Sequence, residues 1–258
     1  MTRHLYIPDT QVKPGEDTSH ISWAGQYAAE KRPDVIVVAG DWADMPSLSS
    51  YDVGKKSFEG RSYREDVKAS CEAMELFMTP IRAEIDRRNK NHRKRWNPRL
   101  VLTLGNHEDR ITRAVENRRE LEGSMSIDDL EYERFGFEVI PFLLPVIIDG
   151  IAYCHYFTSG VMGRPVGSAR MLINKKHMSC IAGHQQGRDV AYGTKGDGTP
   201  IMCIIAGSFY RHDEGYLNHQ TNRHWRGIIM LNEVDNGAFD ECFISMNYLE
   251  REYGNTTK

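Results

Sequence analysis

Short runs of apolar, often β-branched residues alternate along this chain with longer stretches whose apolar positions recur at three- and four-residue steps. The first run, Leu5-Tyr6-Ile7, leads to Asp9, and a helix-like stretch from Thr18 to Lys31 follows, with Thr18 or Ser19 able to cap it. Residues 34–40, Asp-Val-Ile-Val-Val-Ala-Gly, are a short apolar run bounded by turn residues, the pattern of a strand buried on both faces. Strand, helix and strand in that order predict a parallel unit. From Ser62 to Arg95 the residues Val67, Cys71, Met74, Phe77, Met78, Ile81 and Ile85 fall on one face of a long amphipathic helix. Pro80 lies inside it and predicts either a kink or a division into two helices. Arg99 to Leu104 reads as the next strand, and residues 109–135 read as charged and helical.

From Phe137 the texture changes to short strands, predicted at 137–142, 145–149, 151–157, 178–183, 188–193, 201–207, 226–232 and 239–247. One helix-like piece, Ser168 to Lys176, interrupts them. Helix-separated strands followed by hairpin-linked strands suggest two sheets packed face to face with helices outside. The 258 residues show no repeat and no linker, so a single domain over 1–258 is expected.

Five polar segments each follow a strand-like run: Asp9-Thr10-Gln11, Gly40-Asp41-Trp42-Ala43-Asp44, Gly105-Asn106-His107-Glu108, His155, and Gly183-His184-Gln185-Gln186. Loops at strand ends let a rigid sheet aim several donors at one point. Singly these segments are ordinary: Gly-Asp and Gly-Asn are turn dipeptides, and a lone histidine in an apolar run is more often a core residue than a ligand. In this order, over residues 5 to 186, they resemble the calcineurin-like metallophosphoesterase superfamily. Its blocks run Asp-x-His, Gly-Asp-x-x-Asp, Gly-Asn-His-Asp/Glu, a lone His, and Gly-His-x-His. In overall look the chain is most similar to the compact members that bacteriophages encode. The resemblance implies an α/β fold, a four-layer α-β-β-α sandwich of two mixed β-sheets flanked by helices, and a phosphoesterase with two divalent cations.

Carried over position by position, the resemblance implies one complete metal site of Asp41, Asn106, His155 and His184, with Asp41 bridging to the other ion. The other site would take Asp9, Gln11, Asp41 and Gln186, with glutamine at both positions where the superfamily has histidine. An amide oxygen is a harder and weaker donor than an imidazole, which tilts the choice toward Mn²⁺, with Mg²⁺, Zn²⁺ or Fe as alternatives. That site is expected to be weak and exchangeable, or vacant. A hydroxide between paired ions would be the nucleophile. His107 matches the histidine that protonates the leaving oxygen, and Asp44 the carboxylate that orients it; Asp44 can also be read as a helix N-cap. Met45 stands where the protein phosphatase branch carries a phosphate-gripping arginine. The clamp therefore falls to Arg110, or to Tyr210, Arg211 and His212 in the long connection 208–225, which also holds His219, Arg223 and His224. Residues 47–64 offer a second rim. Each of these has a bland alternative as solvated surface.

Composition narrows the picture little. A net charge of −3 gives no global pull toward nucleic acid or membrane. Locally, Arg87 to Arg99 carries seven basic residues in thirteen, with Trp96; it reads either as a phosphate-backbone patch or, preferentially, as a basic helix C-terminus. Five cysteines, Cys71, Cys154, Cys180, Cys203 and Cys242, with no CxxC pair, read as buried free thiols. Together with a start that lacks a signal-like apolar core, this predicts a cytoplasmic protein with no membrane partner. The expected activity is metal-dependent hydrolysis of a phosphodiester in DNA, RNA or a nucleotide. A phosphomonoesterase and an inactive phosphate-binding module are the alternatives.

Overall fold

The computed structural model describes residues 1–50, 54, 58–213 and 224–254. Within them, strands β1 (Thr2–Ile7), β2 (Val35–Val38), β3 (Arg99–Thr103) and β4 (Glu138–Ile140) run parallel, and β12 (Gly227–Asp235) and β13 (Ala238–Ser245) extend the sheet antiparallel beside β1. The order is β13-β12-β1-β2-β3-β4. A second, five-stranded sheet has the order β10-β11-β9-β6-β5, built from β5 (Val146–Ile148), β6 (Ile151–Cys154), β9 (Ser179–Ala182), β10 (Arg188–Thr194) and β11 (Pro200–Ala206). A two-stranded ribbon, β7 (Thr158–Ser159) with β8 (Arg164–Pro165), stands apart.

Alternation along each strand sorts side chains into three cores and so stacks four layers. Leu5, Ile7, Ile36, Val38 and Leu102 pack on helices α1 (Ser19–Lys31) and α2 (Tyr63–Lys90). Their neighbours Tyr6, Val35, Val37 and Val101 turn the other way and meet Ile148, Ile151, Tyr153, Ile181 and Ile204 of the second sheet. The opposite face of that sheet, with Ala152, Cys154, Cys180, Ala182, Cys203 and Ile205, is covered by α4 (Ala169–Lys176). The expected α-β-β-α sandwich is therefore present. Among the described residues no helix is long and apolar enough to cross a membrane.

Several boundaries differ from expectation. Pro80 does not divide α2, which runs unbroken for 28 residues. The carbonyl that loses its donor belongs to Leu76, a residue 42% exposed, so the cost falls on the solvent side of the helix. The helix stops at Lys90, before the basic run ends. Residues 109–135 are one short helix, α3 (Asp109–Asn117), followed by three 3₁₀ turns. A C-terminal helix, α5 (Met246–Tyr253), was not expected, although Met246, Leu249 and Tyr253 carry its apolar stripe and Ser245 caps it by accepting from Tyr248 N. Cys154, Cys180 and Cys203 are buried and free, whereas Cys242 on edge strand β13 is exposed.

Gly25 sets the distance between α1 and α2. A Cβ there would lie 2.3 Å from the Phe77 carbonyl oxygen and 2.8 Å from Pro80 Cγ. Replacing Gly25 with Val should therefore cost about 3 kcal/mol of stability by overpacking. Urea unfolding checks this: the midpoint should fall with an unchanged m value, and an unmoved midpoint would show that the helices do not meet there.

Candidate metal centre

Parallel strands end on the same edge, and that edge collects the polar segments. Asp9 follows β1, Asp41 follows β2 and Asn106 follows β3, while His155 and His184 follow β6 and β9 of the second sheet. The two edges are joined by polar contacts. The His184 N–H donates to Asp9 Oδ1 at 3.0 Å, and His155 Nδ1 lies 2.8 Å from the Ala39 carbonyl oxygen. Gln11, Asp41 and His184 hold left-handed backbones, with φ of 44°, 47° and 64°. Such outliers cost on the order of 1 kcal/mol or more each and concentrate at functional sites. Glycine is required beside them. A Cβ at Gly105 would sit 2.1 Å from Asp41 Oδ1, and one at Gly183 would sit 2.3 Å from Asp9 Oδ1.

Three acceptors converge at the centre. Since His155 Nδ1 faces a carbonyl, that nitrogen carries the proton and Nε2 points inward, 2.9 Å from Asn106 Oδ1 and 3.3 Å from Asp41 Oδ2. Lone pairs at such spacing repel unless positive charge lies between them, supplied by a proton on Nε2 or by a cation that replaces it. Donors about 2.1 Å from one ion at right angles to each other stand about 3 Å apart, so the spacing suits a cation. Asp41, His155 and His184 present ligand atoms within 4.8 Å of one another. Asp9 Oδ2 is buried and lacks a hydrogen-bond partner. An orphaned carboxylate oxygen of this kind is what a second cation would satisfy, so the donor set fits the implied metals.

Electrostatics agree with a site built for added positive charge. Burial raises the Asp9 pKa to about 7, with the Asp41 charge adding to it against the pull of His155. For Asp41, burial is outweighed by His107 and His155, and the carboxylate stays ionised. For His155, burial is likewise outweighed, here by Asp41 and Asp9, and its pKa rises to about 9. Burial, helped by the His155 charge, depresses His184 to about 4 and keeps it neutral, as a ligand must be.

His107 and Asp44 meet as expected. His107 Nδ1 is 2.7 Å from Asp44 Oδ1, close but off the ideal hydrogen-bond line, and its Nε2 is 3.7 Å from Asp41 Oδ2. Burial works against a proton on this ring, yet Asp41 and Asp44 outweigh it and hold the pKa above its usual value. Asp44 also faces Lys13 Nζ at 3.7 Å and Arg110 Nη1 at 3.6 Å. Arg110 is anchored, donating to the Asp44 carbonyl at 2.7 Å and the Met45 carbonyl at 3.3 Å. It braces the loop, although it also lines a cleft of about 940 Å³ beside His107, Asn106 and Gln11.

Glu108 has a role that motif order did not reveal. Its buried carboxylate accepts from the backbone N–H groups of Asp41 (2.9 Å), Ala43 (3.0 Å) and Gly105 (2.8 Å), and the Tyr132 hydroxyl stands 3.4 Å away. The signal was present, since a carboxylate next to a glycine-rich turn is a common partner for its N–H groups.

Other expected participants are arranged differently. Gln11 is buried against the Asp41 loop through its N–H, 2.8 Å from the Asp41 carbonyl, and Gln186 is half-buried past His184. Arg211 is turned away to Ser19, Asp17 and Glu250 (3.1, 3.1 and 3.0 Å) and lies over Trp23, which corrects its reading as a phosphate clamp. Tyr210 is fully buried, stacks on His212 and carries Arg226 over its ring. These three line or adjoin a separate cavity of about 480 Å³, not the cleft. His219 and Arg223, and part of the 47–64 rim, lie outside the described residues. The basic run precedes β3 and so sits at the edge opposite the centre. Trp96 is buried with Nε1 donating to the Pro33 carbonyl, and Arg87 and Arg88 pair with Glu84. The helix-terminus reading of that run holds. His177 is exposed at the end of α4, away from the centre.

No family model matches the chain, and no curated protein matches it. Among solved structures it is similar to GAP50, the anchor in the inner membrane complex of Plasmodium. The identity is 11%, over 95% of this chain and 84% of that chain, with a TM-score of 0.32. A likeness at that level carries no argument about this chain.

Two outcomes follow from the geometry. Glutamine at position 108 can accept through one oxygen only, so either the Ala43 N–H or the Asp41 and Gly105 pair would face an amide NH₂. Glu108→Gln should therefore cost about 1–3 kcal/mol and weaken Mn²⁺ binding, read by thermal unfolding and calorimetry; unchanged metal affinity would remove Glu108 from the support of the site. The folded pKa of His155 lies above its unfolded value near 6.5, so its contribution to the stability of metal-free protein is complete below that pH and lost as pH rises toward 9. Mn²⁺ binding at pH 7 should displace this proton. Calorimetry in buffers of different ionisation enthalpy should count about one proton released, declining toward none near pH 10.

Proposed function

We propose that this chain is a metal-dependent phosphoesterase acting on a phosphodiester of nucleotide size. Asp41, Asn106, His155 and His184 would hold one divalent cation; Asp9 and Asp41, with the amides of Gln11 and Gln186, would hold a second more weakly. The oxygen-rich second set favours Mn²⁺ or Mg²⁺. Divalent cations in such a pair supply a nucleophile of lowered pKa and charge stabilisation for phosphoryl oxygens. The observation that carries the reading is His107: 2.7 Å from Asp44, 3.7 Å from Asp41, and biased toward its protonated form. Holding metal does not require such a group. Delivering a proton to a departing ester oxygen does.

Asp44 orients that ring and compensates its charge; burial works against the Asp44 carboxylate, but His107, and after it Lys13 and Arg110, hold its pKa below the usual value. The diester preference rests on charge. A phosphomonoester carries nearly two negative charges at neutral pH and a diester one, so the diester asks less of a cationic clamp. Met45 is buried, and the Arg110 guanidinium already serves two carbonyls. Among the described residues the cleft walls carry five carboxylates, Glu16, Asp44, Glu59, Glu65 and Asp66, against Lys13, Arg61 and Arg110. That balance suits a compact substrate better than a long polyanion.

Mn²⁺-loaded protein should hydrolyse bis-p-nitrophenyl phosphate faster than p-nitrophenyl phosphate, and His107→Ala should lower kcat by about 10²–10⁴-fold while metal content is unchanged. A monoester preference would transfer the assignment to phosphomonoesterases. Full activity in His107→Ala would end its role as the acid, and no turnover of either ester would leave a binding module.

A further inference from the structure

Tyr156 follows His155 directly and turns its ring onto the metal cluster. Its ring centroid lies 4.6 Å from that of His184 and 5.7 Å from that of His155. Phe142 packs edge-on behind it at 5.6 Å and an interplanar angle of 80°. Phe142 is carried there by the turn Pro141-Phe142-Leu143-Leu144-Pro145, which the Leu144 N–H closes onto the Pro141 carbonyl at 3.0 Å. Leu143 in that turn has φ of 65°, a left-handed backbone that leucine rarely adopts. The turn thus points one aromatic ring inward and leaves Leu143 and Leu144 exposed.

A tyrosine that serves only the core is normally fully buried and hydrogen-bonded through its hydroxyl. Tyr156 is half-buried, and among the described residues its hydroxyl makes no hydrogen bond. It is not part of the cleft wall either: the cleft touches the centre through Asn106 and His107, whereas Tyr156 touches it through His184. The cluster therefore has a polar side and an aromatic side. A diester has two substituents to separate, and these two sides offer them different chemistry.

Resting on the phosphoesterase reading, we infer that Tyr156, backed by Phe142, forms a subsite that stacks a planar aromatic ester group, such as a nucleobase or aryl ring, beside His184. Stacking on an aromatic face is tolerant of ring identity and needs no hydrogen-bond code. The hydroxyl is dispensable in this role, and the ring is not.

Calorimetric binding of phenylphosphonate and methylphosphonate to Mn²⁺-loaded protein tests the inference without turnover. Wild type should bind phenylphosphonate about three- to tenfold more tightly. Tyr156→Phe should keep that ratio, and Tyr156→Leu should bring it close to one while leaving methylphosphonate affinity and metal content unchanged. Equal binding of the two ligands by wild type would overturn the subsite and leave the phosphoesterase reading standing. Binding of neither would overturn both. Loss of metal, or equal weakening of both ligands, in Tyr156→Leu would make Tyr156 a positioning residue for His184 and not a subsite.

Discussion

The carboxylate of Glu108 holds together the two loops on which the centre depends. It is fully buried and accepts three backbone N–H groups, two from the Asp41 loop and one from Gly105. A buried carboxylate without partners would be costly, and so would three buried N–H groups without an acceptor. Each side satisfies the other, and the result is that Asp41, Asn106 and His107 are held in register across the ends of β2 and β3. The left-handed backbone at Asp41 persists only because such contacts over-determine it. The Asp41 carboxylate then accepts from the His107 N–H at 2.9 Å, so one loop orients the other in both directions.

Around that brace the site is a problem in like charge. Asp9, Asp41 and Glu108 are all buried within one region, and the Asp41 charge raises the cost of ionising both Asp9 and Glu108. Imidazoles and backbone donors offset part of this; divalent cations would offset the rest. The same crowding favours a proton on His107 and keeps His184 neutral, although both are histidines in one cluster. The difference lies in neighbours: His107 faces two carboxylates, whereas His184 is buried beside the positive His155. Environment, not residue type, sets the two histidines apart.

The sheets contribute rigidity and direction. Parallel β1, β2 and β3 deliver three loops to one edge, and β6 and β9 bring two histidines from the facing sheet. The interleaved core between the sheets, with Tyr6 and Tyr153 stacked across it, fixes their separation. Polar clefts and aromatic walls around that edge can then vary without disturbing the frame that gathers Asp9, Asp41, Asn106, His155 and His184.

Much of this was legible in the sequence. Apolar period and turn residues located α1, β2, β3 and α4 closely, and the order of five polar segments singled out Asp41, Asn106, His107, His155 and His184 before any coordinates. What could not be read were features decided by packing. Pro80 reads as a kink or a division because it removes a helix hydrogen bond, but α2 runs through it where the helix passes close to Gly25 on α1. Trp96 and its basic neighbours leave a phosphate patch open beside the preferred helix-terminus reading until the topology sets them at the opposite edge. Arg211 reads as a clamp until α5, itself missed, provides Glu250 as its partner. The bracing by Glu108 reaches back 67 and 65 positions to Asp41 and Ala43, and the aromatic wall at Tyr156 meets His184 from a different strand. By itself the sequence determined which polar residues stand at strand ends and which local elements bear them, because period and turn propensity are local. Only the tertiary structure decided which charges meet, since electrostatics at 3–4 Å depends on distance in space and not along the chain.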